Sequence, residues 1–205
     1  MDALRIVREI SEKAAPGRPP AYSEAHVLIA LRLIGAGKGI GRQQISRELR
    51  LGEGTVRTLV NRLGRRGLLI TSRGGMTLTP EGRKLLNAFG EMFFTAEFPD
   101  TQMTVGSSNY AVLVKGAWMK IRRGVEERDA AMIAGAEGAT TLVYDGERLQ
   151  MPGVEMEIDP STVDHIKTRL RPGMGDVIII GSADDPFEAE MGAVSAALKL
   201  LERPL

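Results

Sequence analysis

Residues 52–69, "GEGTVRTLVNRLGRRGLL", hold four arginines and, after Glu53, no acid, yet they keep a regular apolar beat. Val56, Leu59, Val60 and Leu63 fall at i, i+3, i+4 and i+7, which predicts an amphipathic helix with those four side chains inward. The outward positions are then Thr55, Arg57, Thr58, Asn61, Arg62 and Arg65. Such a donor-rich face suits phosphates and base edges. From Lys38 to Arg73 there are nine basic residues and two acids. Like charge at that density repels itself unless a polyanion is nearby, and counterion release from DNA supplies much of the free energy of such binding. The alternative is an ordinary solvated helix face.

The flanking sequence supplies a frame for this helix. "GRQQISRELRL" before it predicts a shorter helix with Ile45 and Leu49 inward and Gln43 outward, a further DNA contact. "SEAHVLIALRLIG" predicts another, capped by Ser23 and ended by Gly35. Downstream, "LLITSRGGMTLT" reads as two short strands around an Arg73-Gly74-Gly75 turn, with Arg73 placed for phosphate or the minor groove. Thr79 then caps a helix with Pro80 in its first turn, running on through "EGRKLLNAFGEMFF". Residues 1–20 form a short helix, with Leu4, Val7 and Ile10 on one face, and the rigid connector "PGRPP". Three helices, a hairpin and a helix in this order predict a winged helix-turn-helix domain over residues 21–94.

"TVRTLVNRLGRRGLL" followed by "LTPEGRKLL" resembles the recognition helix, wing and closing helix of winged-helix regulators of the multiple-antibiotic-resistance type. The resemblance covers residues 23 to 94 and implies binding to double-stranded DNA.

Residues 95–108 turn polar and turn-forming, which predicts an interdomain linker. Over 109–205, "YAVLVKG" and "GDVIIIGSADD" read as strands. "GVEERDAAMIAGAEG" reads as a helix with Val125, Ala130, Ile133 and Ala134 toward the core. A hairpin turns at Asp145-Gly146, and Asp159-Pro160 opens another helix. The expected architecture is a two-domain α+β chain, its second domain an α/β unit with a mixed sheet, serving effector binding or dimerisation. "KIRRGVEERDAAMIAGAEGATTLVYDGERLQMPG", with the later "GDVIIIGSADD", resembles the C-terminal domain, of unknown function, in an archaeal winged-helix regulator family. That resemblance implies a transcription regulator and supplies no ligand or catalytic residues.

Candidate sites in the second half are fewer. Gly181 and Ser182 would let a small-molecule effector approach the backbone at the end of "DVIIIG", with Asp184 and Asp185 as acceptors. The competing role for these carboxylates is to cap the following helix. Arg128 and Asp129 could clamp a polar ligand or simply pair. Lys115, Lys120, Arg122 and Arg123 could receive an anion or balance Glu126 and Glu127. Trp118, the sole tryptophan, could be core or stack on a ligand ring.

Charge is split between the halves: residues 1–100 carry 16 Lys and Arg against 10 Asp and Glu, a balance of +6, and residues 101–205 carry 11 against 16, a balance of −5. Only the first half suits an anionic partner as a whole. Without cysteine there is no disulfide framework and no thiolate zinc site. The charged N-terminus lacks a signal-peptide core, and no apolar run is long enough to span a bilayer, so a cytoplasmic protein without membrane association is expected. "GAGKGIG", residues 35–41, imitates a phosphate loop but links two helices instead of following a strand. His26 and His165 fall in different domains, so no metal site, cofactor or catalytic residue is expected. The expectation is a homodimeric DNA-binding regulator, with the N-terminal helix and the "EMFF" segment offering apolar surface to the partner. The alternative is an enzyme, transferase or kinase-like, carrying a winged-helix module.

Overall fold

The computed structural model describes residues 2–12, 21–37 and 39–204. They form two compact units, the first ending at Gly90 and the second beginning at Glu91. The "PGRPP" connector and Lys38 lie outside the described residues.

In the first unit α1 (Ala3–Ser11), α2 (Glu24–Ala36), α3 (Arg42–Glu48) and α4 (Glu53–Arg65) precede β1 (Leu69–Ser72), β2 (Gly75–Leu78) and α5 (Pro80–Met92). α4 buries Val56, Leu59, Val60 and Leu63, as their spacing predicts; each such burial is worth about 1.5–3 kcal/mol. α3 buries Ile45, with Leu49 just beyond its end. α1 buries Ala3, Val7 and Ile10 against α2 and α4. Of the apolar residues expected to meet a second copy, Val7 and Ile10 pack inside this unit, while Leu4 is half-buried. The strands pair from Leu69↔Leu78 to Ser72↔Gly75, so Arg73 and Gly74 alone form the turn. Just before α3, Ile40 braces this hairpin, exchanging backbone hydrogen bonds with Met76 at 3.2 and 2.9 Å. A Cβ on Gly39, at φ +117°, would come within 2.1 Å of the Gly74 carbonyl oxygen, so this approach requires glycine.

α5 stops at Met92 instead of continuing through Phe93 and Phe94. Those residues begin β3 (Phe93–Phe98), which is followed by β4 (Ser108–Val114), a single 3₁₀ turn at Trp118–Lys120, α6 (Val125–Ile133) and β5 (Gly138–Tyr144). β6 (Leu149–Gln150), α7 (Pro160–Arg169), β7 (Val177–Ala183) and α8 (Pro186–Glu202) complete the second unit. Residues 95–98, expected to start a linker, instead pair with β4 through contacts such as Ala96↔Ala111.

The five strands order as β3-β4-β7-β5-β6. Every neighbouring pair is antiparallel, which corrects the expected mixed sheet. β4 and β5 do run the same way, but they leave a strand's width between them, and β7 fills it in the opposite direction. β7 is buried at every position, as a central strand covered on both faces must be. Ala111, Leu113, Leu142, Ile178 and Ile180 share one core with Phe98, Ile158, Ile166 and Leu170. α6 and α8 cover the opposite face.

α6 is turned relative to the expectation. Val125 is 43% and Ile133 89% exposed, while Glu127 and Ala131 are the buried positions. The cause is close helix packing: a Cβ on Gly192 of α8 would lie 2.4 Å from Ala136 Cβ and 3.3 Å from Ala131 Cβ, so this interface admits only small side chains.

Candidate nucleic-acid interface

Burying one stripe of α4 leaves Arg57, Thr58, Asn61 and Arg65 exposed and Thr55 half-buried. Thr58 Oγ1 donates to the Gly54 carbonyl one turn earlier, at 3.1 Å. Gln43 on α3 and Arg73 at the hairpin tip are also exposed. The tip is ordered by Ser72, whose Oγ accepts from Gly74 N at 3.1 Å and donates to the Gly75 carbonyl at 3.2 Å.

Arg62 does not join this surface. Its guanidinium donates to the carbonyl oxygens of Ile10 at 2.7 Å and Glu12 at 2.5 Å, and lies 5.9 Å from the centroid of the Tyr22 ring. The tyrosine hydroxyl donates to the same Ile10 carbonyl at 3.1 Å. Arg66 pairs with Glu9, whose carboxyl is held below its usual range by a hydrogen bond from Arg5 and by the Arg66 charge. Periodicity places Arg62 outward correctly but cannot show that α1 packs against that side. Thr71, which carries no expectation from the sequence, lines a shallow depression of about 390 Å³ with Asn61, Arg65, Val60, Gly64 and Leu69. A threonine in a short strand carries no signal of its own.

The acidic turn in the second unit is used by the fold. A Cβ on Gly181 would fall 2.5 Å from the Ala189 carbonyl oxygen and 2.7 Å from Ala193 N, so α8 occupies the space proposed for a ligand. Ser182 is 2% exposed, and its carbonyl accepts from Glu137 N at 2.9 Å. Asp184 accepts from Ser107 N and Oγ at 3.3 and 3.2 Å. Asp185 caps α8, accepting from Phe187 N at 2.9 Å and Glu188 N at 3.3 Å. Arg128 and Asp129 pair at 3.1 Å on an exposed surface. An open depression of about 950 Å³ lies elsewhere, lined by residues 147–158 and Val163. Among the described residues no group of three or more His, Asp or Glu could hold a metal ion, and no helix is long and apolar enough to cross a membrane.

Two family models match separate parts of the chain. Residues 26–84 match the PH0730-like N-terminal domain, and residues 105–200 match a domain of unknown function (DUF4443). Among solved structures, hypothetical protein PH0730 from Pyrococcus horikoshii OT3 is similar, with 27% identity and a TM-score of 0.71 over 87% of this chain and 92% of that one. No curated protein matches.

Proposed function

We propose that the chain is a DNA-binding transcription regulator, its first unit a winged helix-turn-helix that sets α4 in the major groove and the β1–β2 hairpin against the backbone. The observation that carries this reading is the exposed face of α4. Arg57, Thr58, Asn61 and Arg65 stand in solvent with no acid in the sequence between Glu53 and Glu81. Asn61 and Arg57 are side chains capable of bidentate base contacts, and Arg65 and Arg73 suit phosphates. One helix reads only a few base pairs, so the active species is a dimer on an inverted repeat. Within the second unit, the 147–158 depression has the room for a small-molecule effector.

The test is a fluorescence anisotropy titration of the intact protein with labelled duplex DNA. Micromolar affinity at about 50 mM salt, weakening steeply toward about 200 mM, is expected from a protein held by several phosphate contacts. Absence of salt-dependent affinity for any duplex overturns the reading.

A further inference from the structure

The second unit carries a net negative charge, yet two adjoining segments at one end of its sheet are basic, beside a β5–β6 turn that holds Asp145, Glu147 and Arg148. The segment leaving β4, residues 115–124, exposes Lys115, Arg122 and Arg123 and holds no acid. Beside it, the last residue of α7, Arg169, and Arg171 in the segment between α7 and β7 are exposed, and that segment's sole acid, Asp176, is 8% exposed. Asp176 staples the two segments: Oδ1 accepts from Gly116 N at 2.9 Å and Oδ2 from Gly173 N at 2.8 Å. Trp118 N adds a hydrogen bond to the Gly175 carbonyl at 3.1 Å.

On this rigid base sits the chain's only tryptophan. A Cβ on Gly175 would lie 2.6 Å from Trp118 Cδ1 and 3.1 Å from Nε1, so the five-membered ring is seated against backbone. The residue nevertheless remains 52% exposed, with Met119 at 63% and Met174 at 81%. An anchored, half-open indole on joined segments that carry exposed arginines has the elements of a stacking platform for nucleic-acid bases, whose phosphates arginine meets with its planar fork.

We propose that the stapled segments 115–124 and 169–176 form a docking surface for single-stranded nucleic acid, with an unpaired base stacking on Trp118 and flanking phosphates meeting Arg122, Arg123 and Arg171. A bilayer surface fits less well. Three exposed apolar side chains, one of them pinned to backbone, bury little area in lipid, while exposed arginine outnumbers exposed lysine on these segments by four to one. The platform lies in the second unit and does not depend on duplex binding by α4.

Because Trp118 is the sole indole, its emission reports on this surface alone. The intact protein is titrated with an oligothymidylate of about twelve nucleotides at about 50 mM salt, following emission and, in parallel, anisotropy of the labelled oligonucleotide. Saturable quenching is expected. Trp118→Ala should weaken the anisotropy-measured affinity about tenfold, and Trp118→Phe should keep most of it. The double variant Arg122→Ser, Arg123→Ser should lower affinity and flatten its salt dependence while retaining native circular dichroism. Arg57→Ala should leave oligothymidylate binding unchanged, so that failure here is separable from failure of duplex recognition. No quenching, quenching by phosphatidylglycerol vesicles but not by oligothymidylate, or affinity lost with Arg57→Ala but kept with Trp118→Ala would each overturn the proposal.

Discussion

Arg62 reaches from α4 to the carbonyl oxygen of Ile10, 2.7 Å away, and closes the C-terminal end of α1. The last carbonyls of any helix lack partners within it, and here an arginine from another helix supplies one. The same contact separates the charges of α4 into two groups: Arg62 and Arg66 hold the first unit together, and Arg57 and Arg65 remain in solvent.

Arg62→Ala should therefore destabilise the first unit by about 1–3 kcal/mol, the loss of charge-assisted hydrogen bonds to the Glu12 carbonyl and to an Ile10 carbonyl that keeps only its Tyr22 donor. Arg57→Ala should stay within about 0.5 kcal/mol in stability, yet cost about 1–3 kcal/mol in duplex affinity if its contact is bidentate to a base. Urea denaturation and anisotropy on the same two variants give the comparison. Equal stability losses would reject the division of labour.

Gly181→Val should destabilise the second unit by about 1–3 kcal/mol or prevent its folding, because its side chain meets the α8 backbone at Ala189 and Ala193. A stable variant with unchanged chemical denaturation would show that α8 can retreat from β7 and reopen the room for a ligand there.

The first unit was the more legible from sequence, because local rules govern it. The i, i+3, i+4, i+7 beat located the core face of α4, and the hairpin fell between apolar runs at Arg73. In the second unit the decisive facts were non-local. Nothing near "DVIIIG" announces that β7 enters between β4 and β5, and the period that placed Val125 and Ile133 inward assumed that large side chains face the core. α6 instead presents Ala131 to Gly192, because the helices approach too closely for anything larger. Gly181 shows the same limit: its sequence context fits a ligand approach and a helix approach equally, and packing alone separates them.

Glu127 of α6 is wholly buried and paired with Arg203 at 2.7 Å. Burial raises its carboxyl above the usual range, and Arg203 partly offsets this. A group whose pKa rises on folding stabilises fully below its unfolded pKa and loses that contribution as pH climbs through the folded value. Arg203→Met removes the offset, so the variant should be destabilised by about 3 kcal/mol or more near pH 8 and recover part of the loss near pH 5, where Glu127 can enter the fold protonated. Thermal unfolding across that range checks it; a pH-independent loss would mean that Arg203 acts through packing alone.

His26 titrates in the opposite sense. It stands in the first turn of α2, where its Nδ1 accepts from Ser23 N at 3.1 Å, and burial lowers its pKa to about 4. The accepting nitrogen must be unprotonated, so the cap and the burial both require neutral imidazole. Between the folded value and the usual one near 6.5 the unfolded chain binds the extra proton, and acidification through this window favours unfolding. Stability from this group is complete above about pH 6.5 and declines toward pH 4, by about 2–3 kcal/mol for a shift of this size. Glutamine at this position offers a neutral acceptor at the same place in the capping box. His26→Gln should thus leave stability near pH 7 within about 1 kcal/mol and reduce the loss between pH 7 and pH 5. Urea midpoints at the two pH values for both proteins give the result, and an identical drop in wild type and variant would assign the acid sensitivity to other groups.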